Sequence, residues 1–165
     1  MKKLLLISAV LAAISTSAVA ESAWKFEVEQ PREHPILRYI ENDKLVFLVG
    51  CGHAIGLHIK YPATPKKKGK ATITLANSKT NMKFVGEFEQ PDDKDDATTF
   101  LQWDLGYRRQ DPKLYGKIWE RKLERLFDLL TDGGPITVSA EGRSYQIPAA
   151  VTVGDWRKGW HEHCL

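Results

Sequence analysis

Along WKFEVEQ, residues 24–30, Trp24, Phe26 and Val28 alternate with Lys25, Glu27 and Glu29. A period of two sends successive side chains to opposite faces of an extended chain, so the pattern predicts an amphipathic strand. QPREHP, at 30–35, breaks it. KLVFLVGCG is a continuous apolar run and predicts a buried strand from Lys44 to Cys51, ending between Gly50 and Gly52. AIGLHIKY alternates again, with Ile55, Leu57, Ile59 and Tyr61 on one face and His58 and Lys60 on the other. ATITLA and MKFVGEFE predict two more strands, and NSKTN at 77–81 has the composition of the turn between them. TTFLQWDLG, at 98–106, predicts another, with Phe100 and Trp103 as packing residues.

The period then changes from two to 3.6. Tyr115, Ile118, Trp119, Leu123, Leu126, Phe127 and Leu130 recur at three and four residues and draw one apolar stripe along a helix. Asp111 suits its N-cap and Pro112 its first turn, and TDGG at 131–134 supplies the glycine that ends it. Gly116 weakens the first turn by roughly 1 kcal/mol relative to alanine. PITVSAEGRSYQIPA predicts a hairpin turning at Glu141-Gly142. The tail, VTVGDWRKGWHEHCL, has no clean period; a helical turn from Asp155 to Trp160 is expected, opposed by Gly159. The expected fold is a single α+β domain: an antiparallel sheet or sandwich, one long amphipathic helix packed on it, and a disulfide closing the chain.

The N-terminus changes the picture of where this domain works. Lys2 and Lys3 precede an apolar run, Leu4–Ile14, well short of the ~20 residues of a membrane helix. Ala18-Val19-Ala20 is a small-x-small cleavage pattern. Residues 1–20 therefore read as a secretory signal peptide and 21–165 as the mature domain, periplasmic or secreted. No twin arginine precedes the run and no cysteine follows the cleavage point. The whole chain carries a net charge of +3, and the leader contributes two of those charges, which leaves +1. A charge that small gives no electrostatic case for nucleic acid. No later stretch is apolar enough to cross a bilayer, so an integral membrane protein is not expected.

Cys51 and Cys164 are the only cysteines. An even count behind an export signal predicts that they are joined. In its order of elements the chain resembles small exported two-cysteine proteins of Gram-negative bacteria, among them accessory proteins associated with type VI secretion. That order is a strand led by Trp24, an apolar strand ending at Cys51, hairpins, one helix, a last hairpin and the terminal Cys164. The resemblance spans Trp24 to Cys164 and implies a disulfide-closed, non-enzymatic interaction domain. The loops PKKKGK and DDKDD form no part of it.

Candidate chemistry is sparse. CGH and HEHC together hold Cys51, His53, His163 and Cys164, a Cys₂His₂ set for zinc or copper when reduced. Oxidised, the set shrinks to His53, His161 and His163 with Glu162. DDKDD, at 92–96, lacks the glycine and closing glutamate of a calcium loop. Lys66, Lys67, Lys68 and Lys70 cluster on an expected hairpin tip, where they solubilise a loop, guard a sheet edge or touch an anionic surface. Trp156 and Trp160 stand four residues apart, either covering the disulfide end of the core or forming an aromatic patch for a partner. GRSYQ lacks the glycine pattern of a hydrolase elbow, and no phosphate-cradling loop is present. The sequence thus favours a non-catalytic exported binding or accessory protein that needs no cofactor and whose partner is a protein or envelope component. The alternatives are a periplasmic metal-binding protein and a small hydrolase whose site has no recognisable motif.

Overall fold

The computed structural model describes residues 22–30, 34–51, 55–63, 69–88, 100–102, 115–151 and 155–164; within these, the side chains of 55, 100–102, 115–120 and 164 lie outside the description. The expected signal peptide at 1–20, the expected Asp111-Pro112 cap, Trp103 and the DDKDD loop fall outside it as well.

Nine strands form one sheet: β1 (Ala23–Glu29), β2 (His34–Glu41), β3 (Lys44–Cys51), β4 (Ile55–Ile59), β5 (Gly69–Ala76), β6 (Asn81–Phe88), β7 (Phe100–Gln102), β8 (Ile136–Ala140) and β9 (Arg143–Ile147). Their spatial order is β1-β2-β3-β4-β7-β6-β5-β8-β9, and every neighbouring pair is antiparallel. Two helices complete the described residues: α1 (Tyr115–Thr131) and α2 (Trp156–Cys164).

The sheet is rolled. The Trp24 indole on β1 donates to Pro148 O just beyond β9 at 2.9 Å, and Tyr145 on β9 donates its hydroxyl to Lys60 O just beyond β4 at 2.6 Å. Strand twist accumulates across a sheet this wide, and rolling is how its apolar face is hidden. On that face Leu37, Phe47, Leu57, Ile73, Phe84 and Val138 are fully or almost fully buried. Two tight hairpins set the curvature. Asn42 and Asp43 lie at φ 52° and 60°, and Glu141 and Gly142 at 48° and 76°. Two consecutive positive φ values define the turn whose twist matches that of its strands.

Helix α1 fills the roll. Leu123, Leu126, Phe127 and Leu130, the expected stripe, are buried, and Leu129 beside them is buried too. The burial is wider than one stripe because a second element flanks the helix. Trp156 and Trp160 on α2 meet Phe127 edge-on, with ring centroids at 4.8 and 5.4 Å. Arg157 pairs with Asp128 at 2.5 Å at the rim of this contact. On its other side α2 meets β1 and β2.

Gly159 explains why α2 sits so close to β1. A Cβ built there would lie 2.7 and 2.9 Å from the Phe26 ring, closer than real carbons approach. Glycine to alanine inside a helix ordinarily stabilises by about 1 kcal/mol. Here we expect the opposite sign: Gly159→Ala destabilises by about 1–3 kcal/mol through overpacking. The double change with Phe26→Leu should recover part of the loss in urea unfolding. A stabilised Gly159→Ala protein would show that α2 does not pack on Phe26.

The expectation of an α+β domain with one long amphipathic helix packed on a sheet is overturned. The fold is mainly antiparallel β, one rolled sheet in place of a sheet or sandwich with a helix laid upon it. Its helical part is two helices, of 17 and 9 residues. The strand missed by pattern is β2, whose Leu37 and Tyr39 face inward just after Pro35. The side chain of Cys164 lies outside the described residues. Cys51 is buried at the end of β3 and is not a free thiol. What the described residues show holding the C-terminal helix in place is the packing of Trp156, Trp160 and Gly159.

Candidate binding cleft

The strands β5 and β8 pair over three rungs only: Ala76 with Thr137, Leu75 with Val138, and Thr74 with Ser139. Beyond Thr74 they separate. β5 runs on to Gly69, paired with β6 along its full length, while β8 reaches Ala140 and turns into β9. The separation opens a cleft of about 700 Å³.

Its two walls differ in character. On the outer face of the sheet, Ser144, Ser139, Thr74 and Lys83 lie side by side on four successive strands, each paired with the next. Thr72 and Lys70 continue this face along β5, because every second residue points the same way. The opposite wall is made from Ala71, Ala140 and Tyr61, with Arg143 at the rim.

Charge in the cleft is predominantly positive. Lys70, Lys83 and Arg143 line it with one carboxylate, Glu141. None of the ion pairs among the described residues uses any of the three cations. Glu141 is already engaged: it accepts a hydrogen bond from the Tyr61 hydroxyl at 3.2 Å. Burial raises the Tyr61 phenol above its ordinary value, and the charge and hydrogen bond of Glu141 add to the effect. The phenol therefore stays protonated and keeps donating at neutral pH. Tyr61 is held in turn by Phe88, edge-on at 5.4 Å.

These groups can form hydrogen bonds to a ligand. Thr72, Thr74, Ser139 and Ser144 offer hydroxyls that donate or accept. Among the described lining residues no imidazole or thiol stands beside them.

The residues singled out in the sequence are scattered by comparison. Lys70 is the only member of the lysine cluster within the description, and it lines the cleft; Lys66, Lys67 and Lys68 lie outside the described residues, as does His53. His161 is exposed and its Nε2 lies 2.9 Å from Glu124 Oε1 on α1. His163 is half-buried two residues on, and residues two apart do not share a helix face. Among the described residues no group of three or more histidine, cysteine, aspartate or glutamate side chains is placed to hold a metal ion. Of the two readings of Trp156 and Trp160, a cover for the core and an aromatic partner surface, the second is corrected: they are 2 % and 0 % exposed and belong to the core. Sequence reasoning missed Lys83, Arg143 and the four hydroxyls. Their only local signal is that each occupies an outward or end position of a strand.

No known protein family, curated protein or solved structure matches the chain. Among the described residues no helix is long and apolar enough to cross a membrane.

Proposed function

We propose that this protein is a non-catalytic exported binding domain and that its ligand is held in the cleft between β5 and the β8–β9 turn. The observation that carries the reading is the set of three cations, Lys70, Lys83 and Arg143, that make no ion pair among the described residues and are gathered with four hydroxyls in one concavity. Unneutralised cations in a groove focus a positive field and attract anionic ligands. The leader-like N-terminus, MKKLLLISAVLAAISTSAVA, supports a place in the periplasm or outside the cell. A protein or other envelope component is the kind of partner that compartment supplies.

Amide resonances of the isotopically labelled protein test the site. On addition of periplasmic extract, those of Lys70–Thr74 and Ser139–Ser144 should move, and the double variant Lys83→Glu, Arg143→Glu should abolish the movement. Perturbations confined to another face, unchanged in the double variant, would place the ligand elsewhere and overturn the reading.

A further inference from the structure

The cleft also contains an open strand edge. Ser139 Oγ donates to Thr74 O at 3.4 Å, so the Thr74 carbonyl points toward β8. Backbone groups of a strand point alternately to its two sides. Thr72 and Lys70 therefore turn their N–H and C=O groups the same way as Thr74, into the space β8 has left. Among the described residues no strand pairs with them on that side, whereas on the other side β6 pairs with β5 from Gly69 to Ala76. A sheet edge of this kind is a template for one more strand.

We infer that the cleft takes an extended acidic peptide segment, added as a strand along Lys70–Thr72 between β5 and the β8–β9 turn. The inference rests on the cleft being the ligand site and names what fills it. The open edge supplies backbone hydrogen bonds independent of the peptide's sequence. The cations supply the preference for acidic side chains. Lys70 and Lys83 stand on the outer face and Arg143 on the opposite wall, so carboxylates on either face of the added strand meet a positive charge. The hydroxyls of Thr72 and Ser139 flank the gap and can bond to a backbone or to a carboxylate. A lysine or arginine side chain in the peptide would meet three like charges, and Glu141 is already held by Tyr61. An acidic polysaccharide would use the cations but would leave the β5 edge without its complementary ladder.

The probe is a fluorescein-labelled octapeptide of alternating glutamate and threonine, followed by fluorescence polarisation against the full mature domain. Three comparisons separate the terms. Glutamine in place of glutamate removes the charge. N-methylation at alternate residues, in each of the two registers, removes one side of the backbone ladder. A galacturonate oligomer of equal charge offers carboxylates without amides. We expect binding of the acidic peptide to weaken about ten-fold or more with the glutamine peptide and with the double variant Lys83→Gln, Arg143→Gln. One of the two N-methylated registers should lose at least as much, and the oligomer should not displace the peptide at equal concentration. Circular dichroism of the double variant checks that it is folded. Equal binding by both N-methylated peptides, displacement by the oligomer, or no binding of the acidic peptide at millimolar concentration would overturn the inference. If the amide shifts produced by extract still fall on the cleft in that case, the site stands and only its occupant is misassigned. Shifts elsewhere remove both.

Discussion

Trp160→Ala lowers the free energy of unfolding by about 3–5 kcal/mol, the largest loss expected from any single truncation in this chain. Trp160 is fully buried and meets Phe127 edge-on at 5.4 Å, so the change removes a large apolar surface and an aromatic contact together. α2 has nine residues, too few for a helix to be stable alone in water. Its docking therefore depends on Trp156 and Trp160, and the full cavity cost is met only while α2 remains docked. If the cavity costs more than docking provides, α2 leaves the sheet and the loss stops at the docking energy. The double variant with Trp156→Ala then falls short of the sum of the singles. Trp160→Phe separates surface from polarity. The indole Nε1 is buried and has no hydrogen-bond partner among the described residues. A buried donor left unpaired costs about 1–3 kcal/mol, which phenylalanine recovers while giving up some packing. The two terms offset, and Trp160→Phe should stay within ~1.5 kcal/mol of the parent. Urea midpoints with unchanged slopes measure both. A loss below 1 kcal/mol for Trp160→Ala would mean that α2 contributes little to the folded state.

The same contacts show what the sequence could and could not reveal. β3 was legible because Lys44–Cys51 is a continuous apolar run, and the β8–β9 hairpin because Glu141-Gly142 is a turn pair between alternating segments. The buried face of α1 was legible in Leu123, Leu126, Phe127 and Leu130 for the same reason: burial on one side imposes a period. β2 was hidden by its prolines. Pro35 is the second residue of β2 and pairs with Val28 on β1, while the pairing of β2 with β3 begins one residue later, at Ile36. A proline at a strand's start, short of the second ladder, breaks nothing. The full length of α2 was hidden by Gly159, read as a helix breaker on intrinsic propensity. Its missing side chain is what admits the Phe26 ring, and that is tertiary information. The cleft was least legible of all. It exists because β5 and β8, separated by more than fifty residues in sequence, stop pairing at Thr74 and Ser139. No local pattern records where two distant strands part, and Lys83 and Arg143 read as ordinary solvent-facing cations until the register places them together.

Asn77→Ala should cost about 2–3 kcal/mol, more than its half-exposed position suggests. The side chain joins two elements by three hydrogen bonds. Its Nδ2 donates to Leu129 O in the last turn of α1 at 2.9 Å, and its Oδ1 accepts from the backbone N–H groups of Lys79 and Thr80, both at 2.8 Å. The first bond satisfies one of the carbonyls that a helix end leaves without an intrahelical partner. The other two close the β5–β6 turn in the manner that makes asparagine common in turns. At roughly 1 kcal/mol for each bond lost, with only the outer groups able to recover water, the total falls in the stated range. Gly133 fits the same knot: a Cβ there would collide with the Asn77 amide, so a glycine lets the turn lie against the end of α1. Ser78 adds a bond from its hydroxyl to Gly133 O at 2.9 Å, which keeps the turn seated when Asn77 is truncated. Asn77→Asp tests the division of labour. The carboxylate still accepts from Lys79 and Thr80, but it cannot donate to Leu129 O, and its charge faces the negative end of the helix dipole. The aspartate variant should therefore fail to restore the parent's stability at neutral pH although it keeps two of the three bonds. Unfolding in urea at pH 7 checks both variants. An aspartate variant as stable as the parent would show that the link to α1 contributes nothing and that Asn77 serves the turn alone.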